Sequence, residues 1–169
     1  MICDTIVNTF MVSIENPALT SIAKVIAPIF DPIVLIVLSL IVASYIYIKF
    51  SKARGIIFGG IMALTGGVIV LTKEIVGRAR PLNMLIPEFS YSFPSGHATI
   101  AIVFLGLLVY LFVNKKYKVQ GIVVASLLVL MIGVSRIYLR VHWVTDVLGG
   151  FVIGGVILGI GIIILKRTS

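Results

Sequence analysis

Five stretches of this chain contain no Asp, Glu, Lys or Arg: residues 32–48 (17 residues), 55–72 (18), 98–114 (17), 119–135 (17) and 147–165 (19). A helix needs roughly 17–25 apolar residues to cross about 30 Å of hydrocarbon at about 1.5 Å per residue. Five blocks of that size, joined by short charged connections, leave little room for any fold but a membrane bundle. The blocks are apolar around the whole helical circumference, which separates them from half-buried helices with one apolar stripe. Composition agrees, with 60% hydrophobic and only 12% charged residues in 169, where soluble domains carry about a quarter charged. One cysteine, Cys3, excludes a disulfide scaffold, and no low-complexity tract or internal repeat is present. The expected fold is an all-α integral membrane protein, a bundle of five transmembrane helices forming one domain over residues 31–169.

Residues 1–30 differ from the rest. They carry Asp4, Glu15 and Lys24 together with Asn8, Asn16, Pro17 and Pro28, so an unbroken span there is disfavoured. Two short amphipathic helices at the membrane interface, broken near Asn16-Pro17, fit better, with a sixth span over residues 5–28 as the alternative. No basic region precedes an apolar run, so a cleaved signal peptide is not expected.

Charge sets the orientation. Lys49, Lys52, Arg54, Lys115, Lys116, Lys118, Lys166 and Arg167 fall on one side of an alternating topology with no acidic residue among them. The other side holds Lys24, Lys73, Arg78, Arg80, Arg136 and Arg140, balanced by all six acidic residues, so the formal +8 lies on the first side alone. That side is expected to be cytoplasmic. Topology thus accounts for the basic residues, and no nucleic-acid partner is expected.

The balanced side concentrates the chemistry. Its segments are KEIVGRARP (73–81), PSGH (94–97) and SRIYLRVHWVTD (135–146), and both histidines of the chain lie within them. Ionisable groups near membrane depth are costly and usually functional. Lys73 and Arg80 are seven positions apart, on one side of a helix if it continues that far, although Gly77 loosens that geometry. With Arg136 they suit a clamp for a tetrahedral oxyanion. Ser95 and Gly96 at a helix start offer a hydroxyl and free backbone N–H groups to the same anion. His142 and Asp146, at i and i+4, would share a helix face if the last helix begins near Val141. A carboxylate there fixes the tautomer and leaves the other ring nitrogen as a nucleophile, with His97 to protonate a leaving oxygen. Spacing alone does not say which histidine attacks.

Blander assignments stand beside these. Lys73, Arg80 and Arg136 could snorkel to headgroups as interfacial anchors, and His142 beside Trp143 could belong to an aromatic belt. Arg78 and Arg140 are expected to pair with Glu74 or Glu88 as solvated ions, and the position of Tyr138 gives no role. The glycine pairs, with Gly150/Gly154 and Gly155/Gly159 at fourfold spacing, serve either close packing within the bundle or a dimer.

The three segments read K-x6-RP, PSGH and SR-x5-H-x3-D. They resemble the three signature motifs of the type 2 phosphatidic acid phosphatase family, which also contains vanadium haloperoxidases and bacterial acid phosphatases. Eleven specified residues match in order with no departure, across residues 73–146. The resemblance implies a lipid phosphate phosphatase that needs no metal or other cofactor. It places Lys73, Arg80, Ser95, Gly96 and Arg136 on phosphate, His97 as general acid, His142 as nucleophile through a phosphohistidine, and Asp146 as its partner. The expected substrate is the headgroup phosphate of a lipid at the outer face of a prokaryotic plasma membrane. Polyprenyl diphosphate is favoured, with phosphatidylglycerophosphate and phosphatidic acid as competitors. A lipid-phosphate-binding or translocating protein without turnover is the non-enzyme alternative. Neither HExxH nor CxxC spacing occurs.

Overall fold

A computed structural model describes residues 2–168. Among them the regular structure is helical: α1 Ile2–Ser13, α2 Pro17–Ile29, α3 Pro32–Lys49, α4 Lys52–Val76, α5 Gly96–Phe112, α6 Lys118–Tyr138 and α7 Val144–Arg167. A short 3-10 turn, Lys115–Tyr117, precedes α6.

Local chemistry sets the boundaries. Asn16 caps α2 by accepting from the Leu19 N–H at 2.9 Å, with Pro17 as the first helical residue. Asp31 does the same for α3 through the Ile33 N–H at 2.8 Å, ahead of Pro32. Both pairs combine a side-chain acceptor with a proline that has no N–H to leave unsatisfied. Ser51 caps α4. That helix ends at Gly77, whose φ of 58° lies in the left-handed region open to glycine, and its N–H bonds back to the Lys73 carbonyl at 2.9 Å.

Helices α3, α4, α6 and α7 are long and apolar enough to cross a membrane. The fifth, α5, has 17 residues and is the central one, packed against α3, α4, α6 and α7. Its Ala98, Ile100, Ala101, Val103 and Leu107 are fully enclosed. Close approach to α7 depends on Gly150 and Gly154. A Cβ on Gly154 would sit 2.7 Å from the Thr99 carbonyl oxygen, and one on Gly150 would sit 2.9 Å from that of Ser95. In lipid, helices associate through such close contacts. This pair of glycines therefore serves the bundle, whereas Gly155 and Gly159 meet nothing within 4 Å.

The N-terminal helices have 12 and 13 residues, about 18 and 20 Å long at 1.5 Å per residue. Each falls short of the hydrocarbon thickness, and the chain breaks between them at residues 14–16. They pack on the ends of α6 and α7. Tyr138 makes that junction, since its hydroxyl lies 3.1 Å from the Asn16 N–H, 3.2 Å from the Asn16 carbonyl and 3.1 Å from the Thr20 hydroxyl.

The five long helices alternate in direction. One end of the bundle carries residues 49–54, 113–118 and the end of α7, while the other gathers residues 77–95, 139–143, α1 and α2. All the candidate chemistry lies at the second end.

Candidate active site

Three connections build the site: the α4–α5 loop, the start of α5, and the five-residue link from α6 to α7. Ser95 is the N-cap of α5, so PSGH opens that helix and leaves its first N–H groups without intrahelical partners. The Ser95 N–H donates to the Asp146 carbonyl at 3.0 Å, which ties the start of α5 to the start of α7.

Two expectations about geometry are corrected. Lys73 and Arg80 do not share a helix, because α4 stops at Gly77. Lys73 lies in the last turn and donates to the Tyr91 carbonyl, while Arg80 comes from the loop beyond. His142 and Asp146 do not share one either, since α7 begins at Val144. Asp146 occupies the first turn, where its Oδ2 accepts from the Trp143 N–H at 2.8 Å. His142 lies just before the helix. The pair still meets, with Nδ1 of His142 3.5 Å from Asp146 Oδ2.

The His142 ring has a charged neighbour on each side. Its Nε2 faces Arg80 Nη1 at 3.4 Å. Arginine only donates, so Nε2 must accept and the neutral ring carries its proton on Nδ1, toward Asp146. Burial pushes the His142 pKa down to about 4; Asp146 opposes the shift, and Arg80, Arg136 and Lys73 reinforce it. The imidazole is therefore neutral near pH 7. Burial also pulls Arg80 below its usual value, with Glu88 and Asp146 opposing, yet a guanidinium stays charged. Arg80 is fixed by the Ser90 carbonyl at 2.6 Å and the Val141 carbonyl at 2.6 Å.

Arg136, only 1% exposed, enters from the last turn of α6 and pairs with Glu88. The other oxygen of Glu88 lies 3.6 Å from Arg80. Lys73, Arg80, Arg136 and His142 are thus gathered around one point, and His97 interacts electrostatically with Arg136, His142 and Arg80. The Nε2 of His97 lies 3.2 Å from the Ala27 carbonyl and 4.0 Å from Asp31 Oδ2. Among the described residues, four buried side-chain atoms have no hydrogen-bond partner, and three of them are Ser95 Oγ, Arg136 Nε and His142 Nδ1. Such orphaned groups are costly, and here they fall on two residues expected to bind the anion and on the expected nucleophile.

The flanking ions are not the solvated pairs expected from sequence. Arg78 binds Asp4 at 2.6 Å and also Asp146. Arg140 is buried and binds Glu15 at 2.7 Å and the Asn83 carbonyl at 2.7 Å. It holds a left-handed backbone, φ 56°, a strain on the order of 1–3 kcal/mol for a residue with a side chain. Glu88 pairs with the cradle arginines instead, and Glu74 is exposed. Trp143 donates from Nε1 to the Ala79 carbonyl at 2.9 Å, with the Arg78 guanidinium 5.7 Å from the ring centroid, so it ties the α6–α7 link to the α4–α5 loop.

Sequence reasoning missed Glu88, Asp4 and Ser92, whose hydroxyl donates to Asp146. Glu88 carried a usable signal, being the one acid in a loop bounded by a basic cluster. Asp4 carried one as well: it is the one charged residue of α1, set among Ile2, Ile6 and Val7.

Comparison with known proteins agrees with this fold. The solved transmembrane PAP2-type phosphatidylglycerolphosphate phosphatase from Bacillus subtilis superposes with a TM-score of 0.91 at 27% identity, covering 98% of this chain and 86% of that one. Phosphatidylglycerophosphatase B of Bacillus subtilis (strain 168) is 41% identical over 88 residues, 48% of this chain and 43% of the relative. Undecaprenyl-diphosphatase of Sulfolobus acidocaldarius is 34% identical over 92 residues, 50% of this chain and 42% of the relative. The matched stretches thus span less than half the length of either curated relative. The model of the PAP2 superfamily matches residues 54–168, from the start of α4 through the end of α7. With the match taking in all three motif segments and four of the five long helices, this chain belongs to the PAP2 superfamily.

Proposed function

We propose that the protein hydrolyses the headgroup phosphate or diphosphate of a membrane lipid, with the site on the extracytoplasmic face. The observation that carries this is the cluster of Lys73, Arg80, Arg136 and the orphaned Ser95 hydroxyl beside a neutral His142. Four donor side chains of three kinds converge where a phosphoryl group would be held, next to an imidazole whose Nε2 carries the lone pair. Gly96 fits the same role. A Cβ there would have no neighbour nearer than Pro32 Cγ at 3.4 Å, so protein packing does not demand glycine, whereas a phosphate lying on the backbone would.

In this mechanism the lipid phosphate lies in the cradle and Nε2 of His142 attacks phosphorus in line. The P–N bond forms as the bond to the lipid oxygen breaks, and His97 supplies the proton to that oxygen. Asp146 stabilises the positive ring through Nδ1. Water, giving its proton to His97, then attacks the phosphohistidine and releases orthophosphate. Preorganised positive charge is the main catalytic contribution in such transfers. The cytoplasmic assignment of the basic end follows from the distribution of Lys and Arg.

Glu88 occupies two of the cradle cations in the free protein, so an incoming phosphate must displace a carboxylate. Glu88→Gln removes that competing charge and is expected to lower KM about three- to tenfold, because a hydrogen bond to a charged group contributes on the order of 1 kcal/mol net and the amide keeps part of it. A Lineweaver-type series at fixed pH measures it, and an unchanged or higher KM contradicts the competition.

Two substrates are supported by named relatives: phosphatidylglycerophosphate by the curated Bacillus protein and the solved Bacillus phosphatase, and polyprenyl diphosphate by the Sulfolobus protein. The test is orthophosphate release by purified protein in detergent from both lipids and phosphatidic acid, with excess chelator present. Chelator-resistant release supports the proposal, and the order of kcat/KM ranks the lipids. No release from any of them by folded protein contradicts it and returns weight to lipid binding without turnover.

A further inference from the structure

The first turn of α1 reaches the site from the far end of the chain. Asp4 is 3% exposed, although it sits on a short helix whose Ile2, Ile6 and Phe10 are exposed. Its Oδ1 accepts from the Thr145 N–H at 3.0 Å and from the Thr145 hydroxyl at 2.9 Å. Its Oδ2 pairs with Arg78 Nη2 at 2.6 Å. The other terminal nitrogen of Arg78 donates to Asp146 Oδ1 and to the Thr145 hydroxyl, the latter at 2.6 Å. One guanidinium therefore bridges two carboxylates, and Asp4 also satisfies an N–H at the start of α7 that no helical carbonyl can reach. Burial raises the Asp4 pKa, but the Thr145 N–H, Arg78 and the Thr145 hydroxyl outweigh it and hold the carboxyl below its usual range. Asp4 is therefore charged when the site works.

The two oxygens of Asp146 divide the labour. Oδ1 is taken by Arg78, while Oδ2 is held by Ser92 and the Trp143 N–H and faces His142. Fixing Oδ1 fixes the carboxylate plane, and with it the direction in which Oδ2 is presented to Nδ1. Without Asp4, Arg78 would have one carboxylate instead of two, and the first turn of α7 would lose an N-terminal acceptor.

We propose that Asp4 is a positioning residue for the reaction: through Arg78 and Thr145 it sets the orientation of Asp146, and thereby that of His142. This rests on the reading of His142 and Asp146 as the nucleophile and its partner. Neither Asp4 nor Arg78 is among the eleven motif residues. The N-terminal helix is on this account part of the catalytic assembly and not merely a membrane-surface anchor.

A double-mutant cycle on the full chain separates this from simple docking of α1. Asp4→Asn is nearly isosteric and keeps an acceptor for Thr145 while losing the charge. With phosphatidylglycerophosphate and polyprenyl diphosphate as probes, it is expected to lower kcat about tenfold with KM changed less than about twofold, a loss confined to the chemical step. In an Asp146→Asn background the same change should cost less than about twofold. Arg78→Lys, which keeps the charge but cannot bridge both carboxylates, should behave alike and serves if Asp4→Asn does not assemble. Wild-type kcat in these variants overturns the proposal, and so does a tenfold loss that recurs undiminished in the Asp146→Asn background, which would make Asp4 a folding contact only. If Asp146→Asn itself retains full kcat, the underlying assignment fails first and this inference falls with it.

Discussion

Replacing His142 by alanine is expected to lower kcat by about 10,000-fold or more, the scale seen when a residue that forms or supports the covalent intermediate is lost. The physical basis is the combination at that ring. Nε2 faces Arg80 and must accept, Nδ1 faces Asp146, and burial keeps the imidazole neutral down to about pH 4. His97, the other histidine at the site, has its Nε2 on the Ala27 carbonyl at 3.2 Å, with Asp31 4.0 Å away. The variant should still assemble, since α7 is capped by its own Asp146 and tied to α5 through Ser95. Orthophosphate release, with thermal unfolding in detergent as a control for folding, measures the effect. Residual activity within tenfold of wild type would remove His142 from the chemistry.

Arg136 carries the second large effect. It is the most deeply buried of the cradle cations, with an unpartnered Nε and a single carboxylate, Glu88, on its Nη2. A phosphoryl group with charge spreading over its oxygens offers what that guanidinium lacks. Arg136→Ala is expected to reduce kcat/KM by about 100- to 1,000-fold, comparable with removal of one preorganised donor at a developing charge. Arg136→Lys should recover only part of the loss, because an ammonium keeps the charge but not the planar fork. Steady-state kinetics on both variants measures it. Full activity in Arg136→Lys would show that charge alone suffices, and full activity in Arg136→Ala would remove the residue from the cradle.

How much of this was legible beforehand differs between fold and site. The five helices are visible as uncharged blocks because lipid enforces them: in hydrocarbon the backbone must satisfy itself, and nothing but length and apolarity is required of the segment. The corner at Asn16-Pro17 is equally local, a capping side chain followed by a proline. The cradle residues stand out because a charge near the membrane is expensive, so each one signals a partner.

The partnerships themselves were not legible. Arg78 was expected beside Glu74 or Glu88 because those acids are near in sequence, yet it reaches Asp4, 74 positions away, and Asp146, 68 positions away. That choice depends on how α1 and α7 meet in space, which no local pattern encodes. Helix ends misled in the same way. Seven-residue spacing suggested a shared face for Lys73 and Arg80, and four-residue spacing did so for His142 and Asp146. In both cases a helix boundary falls between the two residues: α4 ends at Gly77, and α7 begins only after Trp143. The groups still converge, although not through a shared helix face.

The covalent step is the centre of this account and can be seen directly. Lipid labelled with 32P in its terminal phosphate, mixed with excess enzyme and quenched in base within a single turnover, should leave label on the peptide that contains residue 142. That label should be stable to alkali and lost in acid, as a phosphohistidine is, and absent from His142→Ala. Label on Ser95 or His97, or none at any quench time while orthophosphate is released, would contradict it.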